Sequence, residues 1–272
     1  MARIALAQFD SAWMDVRKND EKMASMADAT KKEGADILVF PELFSTGYNL
    51  GMMGEKIFSL AQDIHGSTVT LARSKAREHG IHMVPSIAYR EGGRIYNASV
   101  VIDHHGEVLQ VYKKNHLWEE EQKYFSFGDH GYQVHETPFG RIGFLICYDV
   151  DFPETSRMLA LKGAQDIFVS SAWSATHRHL WDIFLPARAL ENTVYVAGVN
   201  RTGREGEEVF FGSSRVYGPD GLLVASAGEN TEEILYCNID TGSLDEVRKH
   251  FPYLKERRQK GYGDIHGEDL SE

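Results

Sequence analysis

The segment Lys32-Glu33-Gly34-Ala35-Asp36-Ile37-Leu38-Val39 is echoed in the second half of the chain by Lys162-Gly163-Ala164-Gln165-Asp166-Ile167-Phe168-Val169. In each copy a helix-like stretch stops at a glycine and gives way to a short apolar run rich in β-branched residues. That is the pattern of a helix closed by Gly and feeding a strand buried on both faces. The repetition predicts two similar halves, each alternating helices with buried strands.

The rest of the chain extends this reading. Ile4 to Phe9 reads as a strand, Asn19 to Glu33 as a helix closed by Gly34, and Asp36 to Phe40 as a fully buried strand. Ser67 is placed to cap a helix running through His79 and ending at Gly80, with a strand from Ile81 to Tyr89 after it. Turn sequences at Glu91-Gly92-Gly93-Arg94 and Asp103-His104-His105-Gly106 then join alternating segments, Ile95 to Ile102 and Glu107 to Tyr112. Another hairpin, Tyr132 to Glu136 and Ile142 to Cys147, turns at Pro138-Phe139-Gly140-Arg141. Helix Pro153 to Lys162, strand Asp166 to Ser171, a helix from about His177 to Leu190 and strand Thr193 to Val199 complete the second half. A final hairpin is expected from Val209 to Ser226, with Gly218-Pro219-Asp220-Gly221 at its tip, and Ile234 to Ile239 reads as a strand. Strands mixed with helices and hairpins in this order argue for an α/β fold of stacked sheets with helices outside.

No linker or low-complexity tract divides the 272 residues, so they are expected to form one domain, 1–272, with a 42% hydrophobic fraction sufficient for a large core. The charged, Gly-interrupted tail from about residue 245 is too polar to be stable alone and is expected to pack on a partner subunit. No apolar run is long enough to span a bilayer and the N-terminus lacks a signal-peptide pattern, which points to the cytoplasm and to no membrane partner. A net charge of −11 disfavours nucleic acid. Two cysteines make no disulfide framework, in keeping with a reducing compartment. Asn97-Ala98-Ser99 and Asn200-Arg201-Thr202 match the glycosylation acceptor pattern, which here is read as a chance match.

Three residues carry chemistry at strand exits. Cys147 ends an apolar strand just before a Pro-initiated helix, a corner expected to expose the thiol and to set backbone N–H groups behind an oxyanion or thiolate. Taken alone, Cys147 is as readily a buried core residue as a nucleophile. Glu42 follows the buried strand Asp36 to Phe40 in Pro41-Glu42, and Lys114 ends the strand through Tyr112 in Tyr112-Lys113-Lys114-Asn115-His116-Leu117. Singly, a solvent-facing carboxylate and a snorkelling lysine are the usual states of such residues. Cys237 sits in an ordinary strand with no charge partner.

Together, the Pro41-Glu42 pair, the Tyr112-Lys113-Lys114-Asn115-His116-Leu117 block and the Cys147-Tyr148-Asp149-Val150-Asp151-Phe152-Pro153-Glu154 block resemble the signatures of the nitrilase superfamily of carbon–nitrogen hydrolases. The resemblance extends from Ile4 to about Asp240 and implies a four-layer α-β-β-α sandwich and a homodimer or higher homo-oligomer. It also implies a small amide substrate hydrolysed through an acyl-enzyme, with Glu42 as general base, Lys114 as catalytic lysine and Cys147 as nucleophile. Glu121, in Glu121-Gln122-Lys123-Tyr124-Phe125-Ser126-Phe127-Gly128, matches the family's second glutamate, although Glu119 and Glu120 beside it leave a solvated run of carboxylates as the alternative.

Chemistry assigns the tasks. An amide needs a nucleophile, a proton donor for the amine and stabilisation of a transient oxyanion, which Lys114 and the Tyr148 backbone N–H would supply. Tyr48 and Trp173 follow strands that end near the site and are candidates for the substrate pocket, with core aromatics the alternative. His177 and His179 fall on a helical pattern with no i, i+4 pair, so neither a metal nor an organic cofactor is expected. The rival activities are hydrolysis of N-carbamoyl amines or of nitriles by the same residues. Nothing around Cys147 matches a papain-like peptidase. From another class, the fold could serve as an idle binding module, but the presence of Glu42, Lys114, Glu121 and Cys147 together argues against it.

Overall fold

The structure, a computed structural model, describes residues 1–262. Among these residues the strands form two large sheets and a small hairpin sheet. In the first sheet, Ala2–Gln8 pairs in parallel with Ile37–Val39, which pairs in parallel with His82–Val84. Glu233–Ile239 adds antiparallel to Ala2–Gln8 at one side; Arg94–Ile102, Ser86–Glu91 and Val108–Lys113 extend the other. The second sheet has a parallel centre of Gly140–Ile146, Asp166–Ser171 and Tyr195–Asn200, flanked by the antiparallel strands Val134–Thr137, Arg215–Tyr217 and Leu223–Ser226.

Side-chain alternation explains why the sheets stack. In Ala2–Gln8, Ile4 and Leu6 face a core shared with Phe144, Ile146 and Val169 of the second sheet. Ala5 and Ala7 face the opposite way, into a core built with Met23, Ala27, Val69 and Ala72. Those last residues lie on helices Val16–Lys32 and Ser67–His79, which therefore cover the first sheet. Pro153–Leu161 and Arg178–Asn192 pack on the second sheet, Trp181 and Leu185 closing over Gly198. The result is the four-layer α-β-β-α sandwich, and each half is a strand–helix–strand–helix–strand unit. The echoed segments occupy the same place in both, where a glycine with positive φ, Gly34 at 69° and Gly163 at 93°, turns a helix into the middle strand.

Local chemistry moves several boundaries. The first helix begins at Val16, not Asn19, because Asp15 caps it by accepting from the Lys18 N–H at 3.0 Å. Ser67 is the first helical residue, and its hydroxyl donates to Asp20 at 2.8 Å, tying the two covering helices together. The strand expected from Ile81 to Tyr89 breaks at Pro85, which has no N–H for the ladder. The expected hairpin from Val209 to Ser226 is two hairpins. Thr202–Glu205 pairs with Glu208–Phe211 around Gly206, whereas Arg215–Tyr217 pairs with Leu223–Ser226 across the Gly218-Pro219-Asp220-Gly221 tip. Leu50–Met53 and Lys56–Leu60 are short helices that the glycines at 51 and 54 concealed.

Of the tail expected to lie on a partner subunit, Leu244–His250 is helical with Leu244 buried, Leu254 packs on the chain's own core, and residues 263–272 lie outside the described residues.

Candidate active site

Strand Gly140–Ile146 leads into a 3-10 turn, Cys147–Asp151, and then into helix Pro153–Leu161. At the corner Cys147 takes a φ of 45°, a left-handed conformation that costs a non-glycine residue about 1–2 kcal/mol. Asp149 holds it there. Fully buried, its carboxylate accepts from the Ile146 N–H at 3.1 Å, the Tyr112 hydroxyl at 2.7 Å and the His116 N–H at 3.0 Å. The Tyr112-to-His116 strand exit and the cysteine corner are thus fastened to one carboxylate.

The corner does not expose the thiol as the sequence suggested: Cys147 is only 9% exposed. Burial, followed by the charge of Glu42, pushes its pKa well above the ordinary thiol value, with Lys114 opposing. The short turn's N-terminus does not overcome this, so the resting group is a thiol and needs a base.

Glu42 and Lys114 are fully buried and Glu121 is 1% exposed. Lys114 Nζ donates at 2.7 Å to Glu42 Oε1 and at 2.7 Å to Glu121 Oε2. Asn97 Nδ2, across the strand pair, donates to Glu42 Oε1 at 2.7 Å and Glu121 Oε1 at 2.6 Å. The remaining acceptors are filled from the backbone, the Ala172 N–H reaching Glu42 Oε2 at 2.9 Å and the Trp118 N–H reaching Glu121 Oε2 at 2.6 Å. Such saturation is what makes a buried ion cluster tolerable.

Burial raises the Glu121 carboxyl to about 7; Lys114 opposes the rise and Glu42 adds to it. For Lys114, burial works against the charged form, but the two carboxylates outweigh it and the net direction is upward. The ammonium is therefore permanent. Glu120 is instead held by the exposed Lys123 at 2.6 Å, and Glu119 faces solvent. Of the three consecutive carboxylates, Glu121 is the one turned inward.

Cys147 opens onto a cavity of about 330 Å³, whose walls include Tyr48, Trp118, Tyr148, Asp151, Trp173 and Phe210. Tyr48 and Trp173 both line it. The Tyr48 hydroxyl is held protonated, its pKa raised by burial and by Glu121 and Glu42. Trp173 is fixed through its own N–H to Asn200 at 2.7 Å and its indole N–H to the His177 carbonyl at 3.0 Å.

Residues 3–249 match the carbon–nitrogen hydrolase family. The chain belongs to that family. This hydrolase is 35% identical over 265 residues to a nitrilase of Pyrococcus abyssi, covering 96% of its own chain and 99% of the relative. It is 34% identical to 2-oxoglutaramate amidase of Bacillus subtilis, covering 95% and 98% of the two chains. An amidase from Nesterenkonia sp. AN1 superposes on it with a TM-score of 0.84 at 31% identity, covering 96% of this chain and 98% of that one. In one structure of that amidase the active-site cysteine carries an acrylamide adduct.

Sequence reasoning missed Asn97, Asp149 and Asp151 in this site. Asn97 had a signal, since a polar amide interrupts the apolar strand Arg94–Ile102 at a fully buried position. Its burial, and that of Asn200, also leaves neither available for glycosylation in the folded hydrolase. Asp149 had none beyond its place in the cysteine block. His177 lines the cavity while His179 is exposed on the next helix.

Proposed function

We propose that this hydrolase cleaves the C–N bond of a small amide through an acyl-enzyme on Cys147, with Glu42 as general base and acid, Lys114 as oxyanion donor and Glu121 as the group that orients Lys114. The observation that carries the reading is the buried Glu42–Lys114–Glu121 cluster together with a protonated thiol at the wall of a cavity.

In this reading, Cys147 Sγ attacks the amide carbon as Glu42 takes the thiol proton. Charge develops on the carbonyl oxygen, facing the Lys114 ammonium and the Tyr148 N–H, which lies in the first turn of the 3-10 segment, where N–H groups lack intrahelical partners. Each such donor is worth about 3–4 kcal/mol in acyl-transfer enzymes. The C–N bond breaks as Glu42 protonates the leaving nitrogen. Water then attacks the thioester, giving its proton to Glu42, and the C–S bond breaks to return the thiol and release the acid. Two carboxylates around one lysine leave the cluster with a proton to exchange at each step without stranding a net positive charge.

Screening ammonia release over short aliphatic amides, ω-amides, N-carbamoyl compounds and nitriles tests this reading, with intact-mass detection of an acyl adduct on Cys147. Turnover of amides with that adduct supports it. Turnover confined to nitriles, or an adduct on Cys237, overturns it.

The same proposal covers the whole chain 1–272 as one domain, working in the cytoplasm as a homodimer or higher homo-oligomer without metal or organic cofactor. Two free, buried cysteines suit a reducing compartment, and exposed Ile183, Leu222 and Leu223 supply apolar surface that an assembly would cover. Light scattering at micromolar concentration tests the assembly.

A further inference from the structure

The cavity beside Cys147 has largely apolar and aromatic walls, and its charged lining is acidic. Glu119, Glu120, Glu121, Asp151 and Glu208 line it, and among the described residues no lysine or arginine does. Glu121 is matched by Lys114 and Glu120 by Lys123. Glu119, Glu208 and Asp151 have no such partner among the described residues.

Asp151 is the informative one. It stands on the same turn as Cys147, and its Oδ1 is shielded from solvent with no hydrogen-bond partner. The nearby Arg188 does not satisfy it, because that guanidinium is spent on the backbone carbonyls of Val150 at 2.8 Å and Asp151 at 2.6 Å and on Glu191 at 3.2 Å. A carboxylate left at this wall without a counter-charge is costly, and a cation held in the cavity beside it offsets that cost. Burial lifts the Asp151 carboxyl to about 7, with Arg188 drawing it back, and a bound cation would reverse that rise.

We propose that the substrate is a cationic amide, carrying an ammonium or guanidinium group a few bonds from the scissile carbonyl, and that Asp151 binds that cation. This rests on the hydrolase reading above and names its substrate class. Glu119 and Glu208 add negative potential around the cavity, favouring a cation and repelling a carboxylate. An anionic substrate would meet these carboxylates with no lysine or arginine on the lining, among the described residues, to offset them.

The test compares kcat/KM for three amides of matched size: 4-aminobutanamide, pentanamide and succinamate. A fourth, an N-carbamoyl diamine, places the ammonium on the other side of the carbonyl. The wild-type protein should prefer an ammonium-bearing member over pentanamide by about 10–100-fold, the range of one charge-assisted hydrogen bond, and should use succinamate worst. Asp151→Asn should reduce the cationic-to-neutral ratio by about tenfold or more, chiefly through KM. Glu208→Gln should weaken the preference less, and added salt should erode it. Equal use of the neutral and cationic amides by the wild type, preference for succinamate, or an unchanged ratio in folded Asp151→Asn overturns the inference and leaves the hydrolase standing. No ammonia from any member and no adduct on Cys147 overturns both.

Discussion

The Gly128 N–H donates to the Lys114 carbonyl at 2.9 Å, and the two backbones lie so close that no side chain fits between them. A Cβ on Gly128 would stand 2.2 Å from the Lys113 carbonyl oxygen and 2.8 Å from Asn115 Oδ1. Backbone cannot rotate away as a side chain can. The loop after Glu121 therefore clamps the strand exit that delivers Lys114.

Gly128→Ala should shift Lys113 to Asn115 and pull Lys114 off its two carboxylates. Displacements of about 1 Å in such a site cost on the order of 10²-fold in rate, so kcat should fall at least about tenfold with a smaller change in KM. Steady-state kinetics alongside a melting curve decide it. Full activity in the variant would show that the clamp is loose.

Cys147→Ala and Cys147→Ser should abolish turnover, since either removes the proposed nucleophile. The fold should survive. A left-handed φ at this corner strains any non-glycine residue, so neither variant relieves or worsens the backbone, and the Asp149 bonds remain. Circular dichroism and ammonia release measured on the same samples check both halves of the expectation. Residual activity near wild type in the Ala variant would move the nucleophile elsewhere.

Glu121→Gln should lower kcat sharply, by about two orders of magnitude, whereas Glu119→Gln and Glu120→Gln should have mild effects because both neighbours reach solvent. The proposed role needs the Glu121 anion, and burial holds that carboxyl near 7. Activity should therefore decline as pH falls through about 7, an apparent value that belongs to the coupled cluster. On a neutral amide, which has no cation for Asp151 to bind, the acid limb should be missing from the residual activity of Glu121→Gln. A limb that persists there, with Glu120→Gln the damaging change, would place the fourth group one residue off.

Asp166, at the start of its strand, is buried with neither carboxylate oxygen bonded, and burial raises it to about 8. In the unfolded chain it ionises near its ordinary value of 3.8. Its contribution to stability is therefore fully present below that pH and is lost as pH rises toward 8, at up to about 1.4 kcal/mol per pH unit. Asp166→Asn keeps the shape and removes the titration. The variant should be more stable than wild type at pH 8, with the advantage shrinking toward pH 5. Urea melts across that range read the difference, and a gap that does not vary with pH would refute the assignment.

The sequence by itself determined the two similar halves, the apolar strands Ile37–Val39, Gly140–Ile146 and Asp166–Ser171, and the strand exits that carry Glu42, Lys114 and Cys147. These are local properties: a period of two or of 3.6, a glycine that closes a helix, a motif of a few adjacent residues. Even so, local signals blurred where they competed, as when Pro85 cut a strand that its neighbours alone would have continued, or Gly206 turned a hairpin that was read as part of a longer one.

Only the tertiary structure decided what those exits meet. Asn97 bridges Glu42 and Glu121 because the register sets Ala98 opposite Lys113 and places the strand exit beside it. The Ala172 N–H reaches Glu42 because the two sheets stack, which joins residues far apart in the chain. Glu121 was one of three equal carboxylates until the turn from Trp118 buried it, and Asp151 was one more charge in a motif until the cavity enclosed it. Burial and convergence are relations between distant segments. They come into being only when apolar faces from both halves close on one another and exclude water.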